Sequence, residues 1–223
     1  MVRSIIYKEL LKTWRGWAAL MFLNMAVMAY IAAETRSMFV MDHPEIVWHR
    51  VMYLGSIHFG SLRSIPLLTG ALLGAAQFLP EMRDERFRLS LHLPVELHKV
   101  VTAHVAFGLF ALGAILLTDM GILAVLTASY FPLEAVTMSL WTAAPWCLAG
   151  FVAYLGTALA LLEPKYHLKA ALIAVAIALS ELYMYRTAPG SYRTILPILV
   201  LLSALLVPGV LLPAYRFRFR RLS

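Results

Sequence analysis

The hydrophobic positions of the chain fall into long blocks rather than into short alternating runs. A helix needs about twenty apolar residues to cross the hydrocarbon core of a bilayer, whereas a membrane β-strand shows about ten residues of alternating polarity. The pattern therefore predicts an all-α integral membrane protein, with six transmembrane helices in a single domain over residues 1–223. The predicted spans are residues 16–33, 64–80, 100–130, 138–162, 168–185 and 194–214.

An amphipathic segment precedes the first block. Ile6, Leu10 and Trp14 recur at helical spacing within residues 1–15, with basic residues between them. A basic start before an apolar run is also the pattern of a secretory signal peptide, but this basic region is unusually long and amphipathic for one. We therefore predict an interfacial helix over residues 1–15 that leads into the first span.

The third block, residues 100–130, is longer than one span needs, and the sequence allows one tilted helix, a kinked helix or a hairpin of two short helices. Basic residues concentrate in cytoplasmic segments of membrane proteins. The N-terminus, the two loops at 81–99 and 163–169 and the C-terminal tail hold fourteen of the 19 lysines and arginines. With these four segments cytoplasmic, the third block makes one crossing and both termini lie inside. The fourteen residues are Arg3, Lys8, Lys12, Arg15, Arg83, Arg86, Arg88, Lys99, Lys165, Lys169, Arg216, Arg218, Arg220 and Arg221.

Two segments on the other side of the membrane are predicted to differ in structure. Residues 34–63 are too many for a tight turn, so we expect short helices there. One of these helices could extend the second span outward. The link of residues 186–193 contains Pro189 and Gly190, which suit a turn between the last two spans.

Composition excludes a soluble domain and other function classes. Hydrophobic residues make up 61% of the chain and charged residues 14%, with a mean hydropathy of +0.78, whereas a soluble domain has about a quarter of its residues charged. The net charge of +7 lies in short segments between apolar blocks, so it indicates membrane orientation rather than nucleic-acid binding. Cys147 is the only cysteine, which excludes an intramolecular disulfide and a multi-cysteine metal site.

The loop of residues 81–99 carries the most informative pattern. Pro80 is expected to end the second span and begin a new helix, which places Glu81, Asp84 and Glu85 near the positive N-terminal end of that helix.

The same loop has an amphipathic pattern. Asp84 and Arg88 are four residues apart in the favourable order, and Phe87 and Leu91 share a face. We predict a short amphipathic helix on the cytoplasmic surface; a solvated surface helix without a partner accounts for the composition equally well.

These motifs resemble those of the ABC-2 type permeases. Tyr7–Arg15, YKELLKTWR, is similar to the N-terminal interfacial helix of that family. Glu81–Val95 is similar to its charged run leading into a leucine-rich stretch and a Leu-Pro-Val turn, and Lys99 stands where the third span begins. The Gly-Thr pair common before the leucines is absent, with Glu85 and Arg86 near that place.

The resemblance implies the membrane subunit of an ABC transporter, in which a coupling helix after the second span docks on a separate ATPase. No GxxxxGK[ST] motif occurs, so ATP and Mg are expected on that partner and no cofactor in this chain. The resemblance also implies a second permease chain, identical or related, and the inner membrane with its lipid; no nucleic-acid partner, catalytic residue or metal site is predicted. The expected ATPase contacts are Arg83, Asp84, Glu85, Arg86, Phe87, Arg88 and Leu91.

Polar residues within the spans provide further candidates, because burying them is costly. Asp119 and Glu181 are candidates for a substrate path; alternatively, each lies near the headgroups or pairs with Arg186 or Arg193. Asn24 is predicted to join two helices by a hydrogen bond.

The alternative function is a membrane anchor subunit of a respiratory complex, with or without haem. A haem between helices needs two histidines at similar depth. His104 lies within a span, and His58 reaches that span only if the second helix extends outward, at a different depth. A charged amphipathic helix after the second span is not needed by such an anchor and therefore favours the permease. A membrane enzyme has little support, since no convergent His/Asp/Glu or nucleophile motif is found.

Overall fold

The computed structural model of the chain describes residues 2–82, 97–185 and 188–219. Within these ranges the chain forms α-helices and short turns, with no strand. The helices are α1 (Val2–Met41), α2 (Pro44–Met52), α3 (Ile65–Met82), α4 (Leu97–Tyr130), α5 (Leu133–Leu162), α6 (Tyr166–Met184), α7 (Leu196–Gly209) and α8 (Leu211–Phe219), with 3-10 turns at Gly60–Leu62 and Ser191–Arg193.

Six helical segments in the described ranges are long and apolar enough to cross a membrane, as predicted. They are Ile6–Met41, Gly60–Met82, His98–Tyr130, Leu133–Leu162, Tyr166–Met184 and Leu196–Pro213. The third block is one helix, α4, so the hairpin alternative is wrong and the single crossing is confirmed. The chain is therefore a multi-pass membrane protein.

The first helix is longer than the predicted span. α1 runs for 40 residues without a break, about 60 Å, which is about twice the thickness of the hydrocarbon core. Residues 2–15 are its first turns and not a separate helix, because the change from amphipathic to apolar sequence near Gly16 does not interrupt the backbone hydrogen bonds. The interfacial position of residues 1–15 stays a prediction.

The centre of the bundle is α5. Its span is 72% buried, against 17–22% for α1, α6 and α7, and it packs most extensively on α3 and α6. Small residues permit these close crossings. A Cβ atom on Gly70 of α3 would overlap the carbonyl oxygen of Gly150 on α5, and one on Gly156 of α5 would overlap Ala176 of α6.

The helix bundle has an inner end and an outer end. The inner end holds the starts of α1, α4 and α6 and the ends of α3 and α5, and is predicted to be cytoplasmic; the outer end is opposite. At the outer end α1 continues to Met41 and α2 packs on the α4–α5 turn through Val47 and Phe131, so the expectation of short helices within residues 34–63 is confirmed in part. Gly190 has φ +74°, a left-handed conformation that suits the predicted turn.

Candidate functional site: a buried polar cluster at the inner end

Four helices place polar side chains together at the inner end. Glu9 and Lys12 come from α1, Gln77 and Glu81 from α3, His104 from α4 and Tyr154 from α5. Spacings of three and four residues put each pair on one face of its helix. Glu9, Glu81 and His104 are each no more than 2% exposed. We call these six residues the polar cluster.

The Glu9 carboxylate is the centre of the polar cluster. Its Oε1 atom lies 2.6 Å from Lys12 Nζ, and its Oε2 atom accepts a hydrogen bond of 3.0 Å from Gln77 Nε2. His104 Nε2 lies 3.3 Å from Glu9 Oε1. The Nδ1 atom of this imidazole lies 2.9 Å from the Val100 carbonyl oxygen, which only accepts, so Nδ1 carries a proton.

Gln77 joins α3 to three other helices through its amide. Its Nε2 atom also donates to the His104 carbonyl oxygen at 2.8 Å, and its Oε1 atom accepts from the Tyr154 hydroxyl at 2.8 Å. A Cβ atom on Gly108 of α4 would overlap both Tyr154 Oη and Gln77 Oε1. The glycine is therefore required for α4 to approach this hydrogen-bonded pair.

Lys12 bridges the two buried carboxylates. Its ammonium group lies 2.6 Å from Glu9 Oε1 and 3.0 Å from Glu81 Oε1, and Lys8 Nζ is also 3.0 Å from Glu81 Oε1. Two lysines thus balance two glutamates. Because removing one partner of a buried ion pair leaves an uncompensated charge, at a cost of about 3–5 kcal/mol, these contacts hold α1 and α3 together at this level.

Glu9, Glu81 and His104 also have the composition of a metal site. Each offers one ligand atom, and the three atoms lie within 4.8 Å of one another. In this geometry, however, the Lys12 ammonium contacts both carboxylates and already supplies the positive charge a cation would bring. The arrangement therefore fits an ion-paired junction between helices better than a metal centre.

Glu81 corrects one expectation from the sequence. Pro80 does not end the second span: α3 continues through it to Met82, and Glu81 is buried in the last turn of α3 instead of beginning a new surface helix. The ion pairs from Lys8 and Lys12 account for this, because they hold the carboxylate against α1.

The chain was compared with protein-family models, with curated proteins and with solved structures, and none of the three comparisons found a match.

The predicted ATPase contacts fall outside the described residues. Arg83, Asp84, Glu85, Arg86, Phe87, Arg88 and Leu91 all lie between Met82 and Leu97, so the predicted coupling helix stays a prediction. The predicted coupling helix nevertheless begins only two residues after the buried Glu81, so it is directly connected to the end of α3.

The two substrate-path candidates lie in different surroundings. Asp119 on α4 is 1% exposed, and neither of its carboxylate oxygens has a hydrogen-bond partner in the described part of the chain. It is not paired with Arg193, whose guanidinium lies 5.6 Å from the centre of the Trp141 ring; Arg186 is outside the described residues. Glu181 is exposed and lines an open, mostly apolar groove among α3, α5 and α6 that does not include Asp119. A role in a substrate path stays a prediction for both.

The remaining polar candidates have clear placements. Asn24 donates to Thr69 Oγ1 at 2.9 Å, which confirms the predicted bond between two helices. His58 Nε2 lies 3.4 Å from Thr127 Oγ1. Thr127 follows His104 on α4 by 23 residues, about 34 Å along the axis, so His58 and His104 cannot ligate one haem together.

Sequence reasoning did not identify the polar cluster. A usable signal exists, since Glu9–Lys12 and Gln77–Glu81 have helical spacing and His104 lies in the first turns of its block. All five residues are near the same predicted end of their helices. What the sequence does not contain is the rotation of each helix, which decides whether these side chains face one another or the lipid.

Proposed function

We propose that this chain is the permease subunit of an ABC transporter and forms a translocation path with a second permease chain, driven by a separate ATPase. The observation that best supports the proposal is the ion pairing of Glu81 with Lys8 and Lys12. It joins the end of α3, which leads directly into the predicted docking segment, to the beginning of α1.

A permease of this kind has to transmit a movement at its cytoplasmic surface to its spans. Residues 83–91 would receive that movement from the ATPase, with Phe87 and Leu91 as apolar anchors within a charged rim. The polar cluster supplies the next link. Since Glu81 and Gln77 connect α3 to α1, α4 and α5, displacement of the docking segment would move these four helices together.

The remaining parts of the proposal follow from the same assignment. ATP and Mg bind the partner ATPase, and the chain lies in the inner membrane with both termini in the cytoplasm, in agreement with its basic segments. The respiratory anchor has less support, because His104 lies near the beginning of α4 whereas His58 lies beside Thr127, near the end of α4.

The test is affinity purification of the tagged chain from its native membranes in mild detergent. We expect a soluble partner in stoichiometric amount and vanadate-sensitive ATP hydrolysis in the same fraction. Recovery of redox subunits together with a Soret absorption band would contradict the permease proposal and favour the respiratory anchor.

A further inference from the structure

A second polar feature lies at the outer end, where the end of α6 meets the beginning of α3. It is a pocket of about 390 Å³, within the size range of small-ligand sites. Arg63 and the aromatic residues Trp146, Tyr185 and Tyr192 line it. Because Arg63 precedes α3 and Tyr185 directly follows α6, the pocket lies at the level where spans end and lipid headgroups begin.

The walls of the pocket are fixed by hydrogen bonds. The Gly190 N–H group donates to Thr142 Oγ1 of α5 at 2.9 Å, which holds the α6–α7 link against the bundle. The Tyr192 hydroxyl lies 3.1 Å from the Leu182 carbonyl oxygen and 3.2 Å from that of Tyr185. The pocket is therefore held in place by the ends of three spans.

Arg63 gives the pocket its charge. The guanidinium is half-buried and donates one N–H group to the Met184 carbonyl oxygen, closing the end of α6. A guanidinium has five N–H donors, so this bond uses only one of them. Among the described residues Arg63 pairs with no carboxylate, and no acidic side chain lines the pocket.

The adjoining link Arg186–Arg193 contains no acidic residue that would offset this charge. The end of α6 contributes a partial negative charge of about half a unit, which is smaller than the full charge of Arg63. Capping of the C-terminal end of α6 accounts for one hydrogen bond of Arg63. It does not account for an open pocket with aromatic walls beside the remaining N–H donors of this guanidinium.

We propose that this pocket binds a phosphate oxyanion through Arg63, with Trp146, Tyr185 and Tyr192 packing around the attached group. Guanidinium groups bind phosphate oxygens through paired N–H donors, and aromatic rings at this depth accommodate amphipathic ligands. The phosphate belongs either to a phospholipid headgroup or to a free anion. The proposal is independent of the permease function.

The test uses the purified full-length protein in detergent, with its thermal unfolding followed by tryptophan fluorescence. Three probes are titrated at constant ionic strength: dioleoylphosphatidylglycerol, dioleoylglycerol, which has the same chains without phosphate, and inorganic phosphate. For the wild-type protein we expect stabilisation by a phosphate-bearing probe but not by dioleoylglycerol. Arg63→Gln should weaken the apparent affinity by at least about tenfold, as for loss of a charge-assisted hydrogen bond.

Two variants separate binding from folding. Arg50→Gln changes an exposed arginine at the same end, outside the pocket and paired with Asp42, and should bind as the wild type does. Tyr185→Ala retains the backbone carbonyl that accepts from Tyr192 but removes an exposed ring, and should weaken binding several-fold without unfolding the protein.

The probes distinguish the two sources of phosphate. Stabilisation by the phospholipid alone supports a headgroup site, and stabilisation by both phosphate-bearing probes supports a site for free anions. Equal stabilisation by dioleoylglycerol, unchanged binding in Arg63→Gln, or no stabilisation by either phosphate-bearing probe would overturn the proposal.

Discussion

At the scale of single residues, Lys12 decides the electrostatics of the inner end. Its ammonium group contacts both Glu9 and Glu81, and the side chain is only 17% exposed. Glu81 keeps a second cation in Lys8, which is 47% exposed, whereas Glu9 keeps the neutral amide of Gln77 and its contact with His104. The two carboxylates therefore depend unequally on Lys12.

Replacing Lys12 with methionine should destabilise the folded protein by about 3–5 kcal/mol, because Glu9 is left as a buried carboxylate without its closest cation. The measurement is the free energy of unfolding in detergent by denaturant titration. Lys165→Met is the matched control: this lysine is exposed at the same end, and the change should cost no more than about 0.5 kcal/mol. Equal effects of the two substitutions would contradict the role assigned to Lys12.

His58 gives a prediction about pH. It lies outside the membrane-spanning segments, and burial lowers its pKa to about 4 from an ordinary 6.5. A lowered pKa means that the unfolded state binds the proton more tightly, so the folded protein loses stability as pH falls from about 6.5 to about 4.

The His58 contribution is about 3 kcal/mol over this interval, at 1.36 kcal/mol per pKa unit. His58→Gln should remove that part of the pH dependence, which is read from unfolding free energies of both proteins at pH 7 and pH 4. If the two proteins lose the same stability on acidification, the buried neutral imidazole is not a source of the dependence.

At the scale of helices, the sequence predicts which segments span better than where each helix ends. Hydropathy identified all six spans and the single crossing of residues 100–130, because apolar length and basic loops follow directly from the properties of a bilayer. It did not predict that α1 extends to Met41. Polar residues such as Glu34 and Arg36 end an apolar block, but they are ordinary helix residues and do not end the hydrogen-bonded helix.

The polar cluster and the outer pocket could not be predicted without knowing how the helices pack. Gly108 and Gly70 have no distinguishing feature in the sequence, although each lies where a Cβ atom would overlap a neighbouring helix. The sequence does not indicate a ligand-binding role for Arg63, because its position beside the end of α6 depends on contacts between segments far apart in the chain. Helix rotation and crossing points are properties of the packed bundle.

At the scale of the whole molecule, the two ends have different characters. The inner end has a buried, ion-paired polar cluster, and its residue Glu81 directly precedes the charged segment of residues 83–91. The outer end has an open pocket with a half-buried arginine and aromatic walls. The central α5 contributes Tyr154 to the inner end and Thr142 and Trp146 to the outer end, so a movement of this helix affects both.

We propose that residues 83–91 dock on a separate ATPase. The measurement is the amount of ATPase copurifying with the tagged chain after Phe87→Ala and Arg88→Glu are combined. Loss of an apolar anchor together with reversal of a rim charge should reduce copurification by at least about tenfold, while membrane insertion is retained. Phe217→Ala combined with Arg218→Glu changes another aromatic–arginine pair of the predicted cytoplasmic side and should leave copurification unchanged. Wild-type recovery of the ATPase by the Phe87/Arg88 variant would contradict docking through residues 83–91.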